Sequence, residues 1–366
     1  KLLLQDSRVD PSDDGNGAIK WASANGHIEI VKLLLQDSRV DPSDDGNYTI
    51  KWASERGHFE VVKLLVDPSD DSNQAIRWAA ANGHIEIAKL LLQDSRVDPS
   101  HDGNGAIKRA SANGHIEIVK LLLQDSRVDP SAESNYAIRW ASEYGHAGTV
   151  KLLMKDSRVD PSAGNNYGII LASEKGHFEV VKLLLTDERV NPFAQNNYAI
   201  RCASANGHIE IVKLLLQDSR VDPTAQNNHA IRCASKYGQT EIVKLLLEDS
   251  RVDPSVLDNL AIRCASKYGQ TEIVKLLLQD SRVDPSVVDN YAIRWASRNR
   301  HIEVVKLLMK DSRVDPSAQN NYGIQWASEN GHTQLVKLLL EDSRVDPSDR
   351  NNLLIRQASR MAIPRQ

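Results

Sequence analysis

The tripeptide Lys-Leu-Leu begins at Lys1 and returns at Lys32, Lys63, Lys89, Lys120, Lys151, Lys182, Lys213, Lys244, Lys275, Lys306 and Lys337. Every step is 31 residues except the one from Lys63 to Lys89, which is 26. Length alone would suggest two or three globular domains for 366 residues. A fixed period instead predicts about twelve copies of one unit, stacked as a single array over residues 1–366, with a partial unit at each end. Rare residues obey the same register. Twelve of thirteen prolines share one slot, and all six Trp and all three Cys share another, which holds Arg109, Leu171 and Gln357 in the remaining copies.

The copy from Asn197 to Asn228 shows what one unit can form. Asn197, in a slot that is Asn in every copy, reads as a helix N-cap whose side-chain oxygen accepts from free backbone N–H groups. Ala199, Ile200 and Ala203 share one face of a short helix A, predicted over about residues 198–206. Gly207 stands where a helix C-terminus needs positive φ. The run Ile-Glu-Ile-Val-Lys-Leu-Leu-Leu after His208 is apolar almost all round, so helix B is expected to be covered on more than one side. Glu210 and Lys213 pair on its wet side. Helix B must end before Asp222-Pro223, because the residue preceding proline disfavours helical backbone. Such a unit cannot bury its own apolar faces, and stacking on neighbours solves that.

Gly-His-Ile-Glu-Ile-Val-Lys-Leu-Leu-Leu after Ala-Ser-Ala-Asn resembles the ankyrin repeat across essentially the whole chain. The family's usual unit is two residues longer and opens helix A with Thr-Pro-Leu-His, where this chain has Tyr-Ala-Ile-Arg or a variant. The resemblance implies an all-α, right-handed solenoid of helix–turn–helix repeats whose β-hairpin fingers are shortened to turns. The Asp-Ser-Arg-Val-Asp-Pro-Ser idiom resembles repeats of large DNA viruses of amoebae, which would imply a host-cytoplasmic location. An intracellular, cytoplasmic protein is the expectation in either case.

Irregular copies carry further expectations. Leu65 runs directly into Val66-Asp67-Pro68, so the copy around 63–75 lacks five residues and should have a short helix B and a local break in the stack. Arg300 replaces the corner glycine, which should leave that corner strained or re-formed. The last copy ends in a lone helix A (Leu354, Ile355, Ala358) with nothing to cover it. Lys1 opens inside an apolar run without an initiator Met, so the chain reads as a fragment.

Chemistry is copied rather than unique. Nine of eleven His occupy the Gly-His slot, and Gln239 and Gln270 replace it twice, so the side chain is expected to bond its own inter-helix turn. Units stacked about 8–10 Å apart are too distant to share a metal ion or to join Cys202, Cys233 and Cys264 by disulfides. Those thiols read as core-lining. Arg8 and Asp10 with their copies read as local ion pairs. The sequon Asn47-Tyr48-Thr49 reads as a chance match. No triad, phosphate loop or isolated carboxylate pair occurs, so an enzyme, a cofactor and a metal are not expected.

The resemblance instead implies a protein-binding scaffold with its partner along the concave face of helix A and the turn tips. The candidate residues are the basic row Arg201, Arg232, Arg263 and Arg294, the tyrosines Tyr198 and Tyr291, and the apolar tips Phe193, Val256, Leu257, Val287 and Val288. Residues 197–306 carry 15 Lys/Arg and 13 Asp/Glu, a net +2 within a chain of net −4, which favours an acidic partner there. Two alternatives stand beside this. One is an adaptor of ubiquitin-ligase type whose effector domain lies elsewhere. The other is nucleic-acid binding along the arginine row, which the acidic total disfavours. No membrane association is expected, and nothing in the sequence points to a homo-oligomer.

Overall fold

A computed structural model describes residues 3–6, 8–65 and 73–348. Contacts divide the chain into two units, residues 1–191 and 192–366. Both are built from the same alternation of an A helix and a B helix. In the first, the A helices begin with Asp13–Ala24 and end with Ala163–Lys175, and the B helices run from Ile28–Leu34 to Phe178–Leu184. In the second, A helices run from Ala194–Asn206 to Ala318–Glu329 and B helices from Ile209–Gln217 to Thr333–Leu339. Among the described residues there is no strand, as the shortened connections imply. Within each unit, consecutive A helices pack extensively on one another, while B helices touch less. That is the stacking of a repeat solenoid.

Small residues explain the close A-helix contacts. Ala199, Ile200 and Ala203 are almost completely buried, as are Ile211, Val212 and Leu215 of the following B helix. Each large aliphatic contributes about 1.5–3 kcal/mol on burial. Helix B is less enclosed than expected, because Ile209, Leu214 and Leu216 remain half-buried. Glu210 and Lys213 pair at 2.9 Å on its exposed side, as do Glu303 and Lys306 at 2.7 Å. The corner glycines take positive φ, including Gly207 at 84° and Gly114 at 76°. Arg300 keeps the same left-handed corner at φ 62° despite its side chain. The copy around Val66 and the terminal helix containing Leu354 lie outside the described residues.

The entry to helix A corrects the N-cap expectation. Gln195, Asn196 and Asn197 have φ of 51°, 57° and 58°, so a left-handed turn precedes the right-handed helix. The turn recurs in other copies, for example at Gln226, Asn227 and Asn228. Three consecutive left-handed residues are tolerable here because Asn, Asp and Gly reach this region most easily. Asn197 caps nothing in its own helix. Its Oδ1 accepts the backbone N–H of Asp222 in the next copy at 2.8 Å. Asn104 does the same for Asp129 at 2.7 Å, and Asn228 for Asp253 at 3.0 Å. Asn47, which opens the sequon, sits in this slot and is buried, which fits the chance-match reading.

The Asp-Ser-Arg turn corrects a second expectation. Arg8 pairs with Asp6, not Asp10. Asp10 instead accepts from the backbone N–H and the hydroxyl of Ser12. In later copies the same guanidinium also reaches backward, Arg251 donating to the Val221 carbonyl at 2.9 Å and Arg282 to that of Val252 at 2.8 Å. The two-pronged hydrogen bond from Arg39 holds the Asp37 carboxyl down at about 2.

Histidine is the third staple, and again the partner is the preceding copy rather than the residue's own turn. The Nε2 atoms of His115, His146 and His301 lie 2.9–3.1 Å from the carbonyl oxygens of Ala81, Ala112 and Lys267. Gln239 and Gln270 donate to the equivalent carbonyls of Ala205 and Lys236 at 3.3 and 3.2 Å. The amide N–H replaces the imidazole N–H, which explains why Gln is accepted in this slot.

Candidate functional site

The exposed edge of helix A carries the Tyr and Trp/Cys slots, four residues apart and hence one above the other. Trp21 is 59% exposed, and rings on this edge touch within and between copies. Trp21 and Trp52 have centroids 5.8 Å apart, Tyr136 and Trp140 4.4 Å, and Tyr291 and Trp295 5.4 Å. Cys202, Cys233 and Cys264 occupy this edge as half-buried thiols not joined by disulfides, which corrects the core-lining expectation.

The basic row sits beside these rings, but its guanidiniums already have partners. Arg232 donates to the carbonyls of Asn227 at 2.9 Å and Gln226 at 2.8 Å. Arg294 donates to those of Asp289 at 2.7 Å and Val288 at 3.0 Å. Arg263 reaches Leu257 and Asp258, and Arg201 makes longer contacts to Gln195 and Asn196. Each arginine therefore satisfies carbonyls of its own left-handed turn. Its flat face remains available for stacking, as Arg263 shows over Tyr291 at 4.6 Å and Arg201 over Tyr198 at 5.2 Å.

The tips divide into two kinds. Phe193, Leu257 and Val288 are exposed by 46%, 47% and 44%. Val256 and Val287 are half-buried. Leu257 and Val288 also occupy the left-handed region, at φ 51° and 55°. A β-branched residue there is strained. Consecutive tips are within reach of one another, since Gln319 donates to Asp289 across 30 residues at 2.8 Å.

Two features escaped the sequence reading. His229 replaces the usual tyrosine, and its Nδ1 lies 3.3 Å from Cys233 Sγ, one helical turn away. The i, i+4 spacing would have revealed the pair. Burial pushes the Cys233 thiol up, and burial with Arg201 and Arg232 nearby pushes the His229 imidazole down. Both shifts favour the neutral forms, opposite to the thiolate–imidazolium state of a cysteine nucleophile.

The second feature is a cavity of about 450 Å³ bordered by Trp78, Arg109, Tyr136 and Trp140. It lies where Gly105 takes the tyrosine slot and Arg109 the tryptophan slot. A smaller gap of about 340 Å³ recurs at Gly17, beside Trp21 and Trp52.

Left-handed turns, glycine corners and paired helices stapled to the preceding copy define a helical repeat array with one chemically varied edge. A sequence model of the family described as "Ankyrin repeats (3 copies)" matches residues 1–75, 50–134, 76–165, 138–227, 169–258 and 261–351. The chain belongs to the ankyrin-repeat family. Ankyrin repeats are generally protein–protein interaction modules and are typically non-enzymatic. No curated protein matches the chain. No helix among the described residues is long and apolar enough to cross a membrane.

Proposed function

We propose that this chain is a non-enzymatic scaffold that binds a protein partner along the helix A edge and turn tips, with the main contact in residues 192–366. The observation that carries this reading is the pair of apolar tips Leu257 and Val288. They hold equivalent positions in consecutive copies, are nearly half exposed and take a backbone conformation unfavourable to both residues. The other described copies that have this turn place Asp, Glu, Gln or Gly in that slot. Strain and exposure together favour selection for contact rather than for folding. Tyr291 and Tyr322, stacked by Arg263 and Arg294 at 4.6 and 5.7 Å, extend the patch with residue types common at interface centres. The commitment of the arginine row to backbone carbonyls weighs against phosphate binding along it.

The test is affinity capture with the purified chain, comparing it with Leu257→Asp/Val288→Asp and with Lys275→Glu on a B helix. Proteins retained by the parent and by Lys275→Glu but lost from the tip variant support the reading. An identical set of captured proteins in all three overturns it.

A further inference from the structure

The arginines of the basic row and of the Asp-Ser-Arg turns described above have hydrogen-bonding or ionic partners, whereas Arg109, which breaks the repeat, has none among the described residues. Arg109 stands in the tryptophan slot, exposed on helix A His101–Ala112. Its guanidinium lies 5.2 Å from the Trp78 ring, and among the described residues it has no hydrogen-bond or ion-pair partner. The two carboxylates lining the same cavity are neutralised. Asp102 pairs with Arg77, and Glu133 with Lys108 at 2.7 Å. The two lining asparagine amides also have partners, Asn113 donating to Ala81 at 2.7 Å and Asn82 to Trp78 at 2.9 Å. Arg109 is thus the one lining charge without a counter-ion.

The walls are aromatic. Trp78 bounds one side, and Tyr136 with Trp140, their rings 4.4 Å apart, bounds the other. The missing tyrosine at Gly105 opens the space between them. The gap at Gly17 has the same cause but keeps Trp21 where this one has Arg109. Of these two, the cavity at Gly105 is the one that combines a ring-sized opening with an arginine lacking a counter-ion. Its volume, about 450 Å³, is within the range of small-ligand sites.

We infer that this cavity is a subsite for an aromatic ring carrying a nearby carboxylate, such as a Trp, Tyr or Phe side chain flanked by an acidic residue in a partner's segment. The ring stacks against Trp78 and Trp140, and the carboxylate takes the open donors of Arg109. As a peptide subsite it rests on the protein-binding reading above. It is built from residues of 1–191, whereas Leu257 and Val288 belong to 192–366, so either can fail without the other.

Three small probes test it by ligand-observed saturation-transfer NMR on the full chain: N-acetyltryptophan, its neutral amide, and the cation tryptamine. The expected order is N-acetyltryptophan tightest, the amide weaker and tryptamine weakest. Arg109→Gln is expected to weaken N-acetyltryptophan about tenfold, as for loss of a charge-assisted contact, and to leave the amide nearly unchanged. Gly105→Tyr restores the residue of other copies and should abolish binding of all three. Its added Cβ approaches the flexible Arg77 side chain at 2.7 Å, so circular dichroism must first show that it folds. Arg109→Gln alters an exposed side chain and keeps the test decisive if Gly105→Tyr does not fold. The inference is overturned if N-acetyltryptophan gives no transfer at millimolar concentration, if tryptamine binds as tightly, or if Arg109→Gln changes nothing. Undiminished binding to folded Gly105→Tyr overturns it as well.

Discussion

Two consecutive junctions in residues 192–366 differ by a single corner residue. At the first, Gly269 turns at φ 75° and the ring of His301 packs on it to reach the Lys267 carbonyl at 3.1 Å. A Cβ on Gly269 would lie 2.5 Å from that ring. At the second, Arg300 supplies such a Cβ in the same left-handed conformation, at φ 62°. His332 makes no equivalent bond there; its ring lies against Trp326, with centroids 5.4 Å apart. The glycine is therefore needed twice, once for the turn in its own chain and once as a seat for the next copy's histidine.

The most damaging way to break this contrast is to copy the defect. Gly269→Arg should lower unfolding free energy by about 2–3 kcal/mol, combining left-handed strain with the lost hydrogen bond. Urea unfolding of the full chain measures it, and a loss below about 0.5 kcal/mol would show that the seat is unimportant. Next in size, His301→Ala should cost about 1 kcal/mol while His332→Ala costs almost nothing. His301→Gln should be nearly neutral, since Gln239 and Gln270 make the bond with an amide. Repair should show a similar gain: Arg300→Gly is expected to add about 1 kcal/mol, with amide exchange slowing between residues 296 and 340.

The smallest effect is a titration. Burial, and secondarily Arg300, holds the His332 imidazole below its ordinary value. Its neutral form is favoured in the folded chain, so its share of stability is complete above about pH 6.5 and is lost as pH falls from there toward the folded value. Removing Arg300 should move the NMR titration of His332 upward, and no movement would place the whole shift on burial.

Legibility in the sequence followed the range of the interaction. Helix A over 198–206, the corner at Gly207 and the Glu210–Lys213 pair were readable because each is settled within one turn of its own chain. The roles of Asn197, Arg251 and His301 were not, since their partners lie 25, 30 and 34 residues away in the neighbouring copy. Period identifies the slot but not which peptide group faces it after stacking. The left-handed turn had a signal in runs such as Gln-Asn-Asn before helix A, which a capping reading of the single Asn197 hid. At the candidate site, the tips were visible as departures from the repeat. Engagement of Arg232 and Arg294 by carbonyls five and six residues back was hidden, because it requires that turn.

The asparagine, arginine and histidine staples share one property: each ends on a peptide N–H or C=O of the adjoining copy. Main-chain groups are alike whatever side chains a copy carries. A unit that keeps its corner glycine can therefore be duplicated, deleted or exchanged by recombination, and its new neighbour needs no compensating substitution to make these bonds. Lengthening the array is then a question of copying DNA, while the residues on its outer edge stay free to diverge.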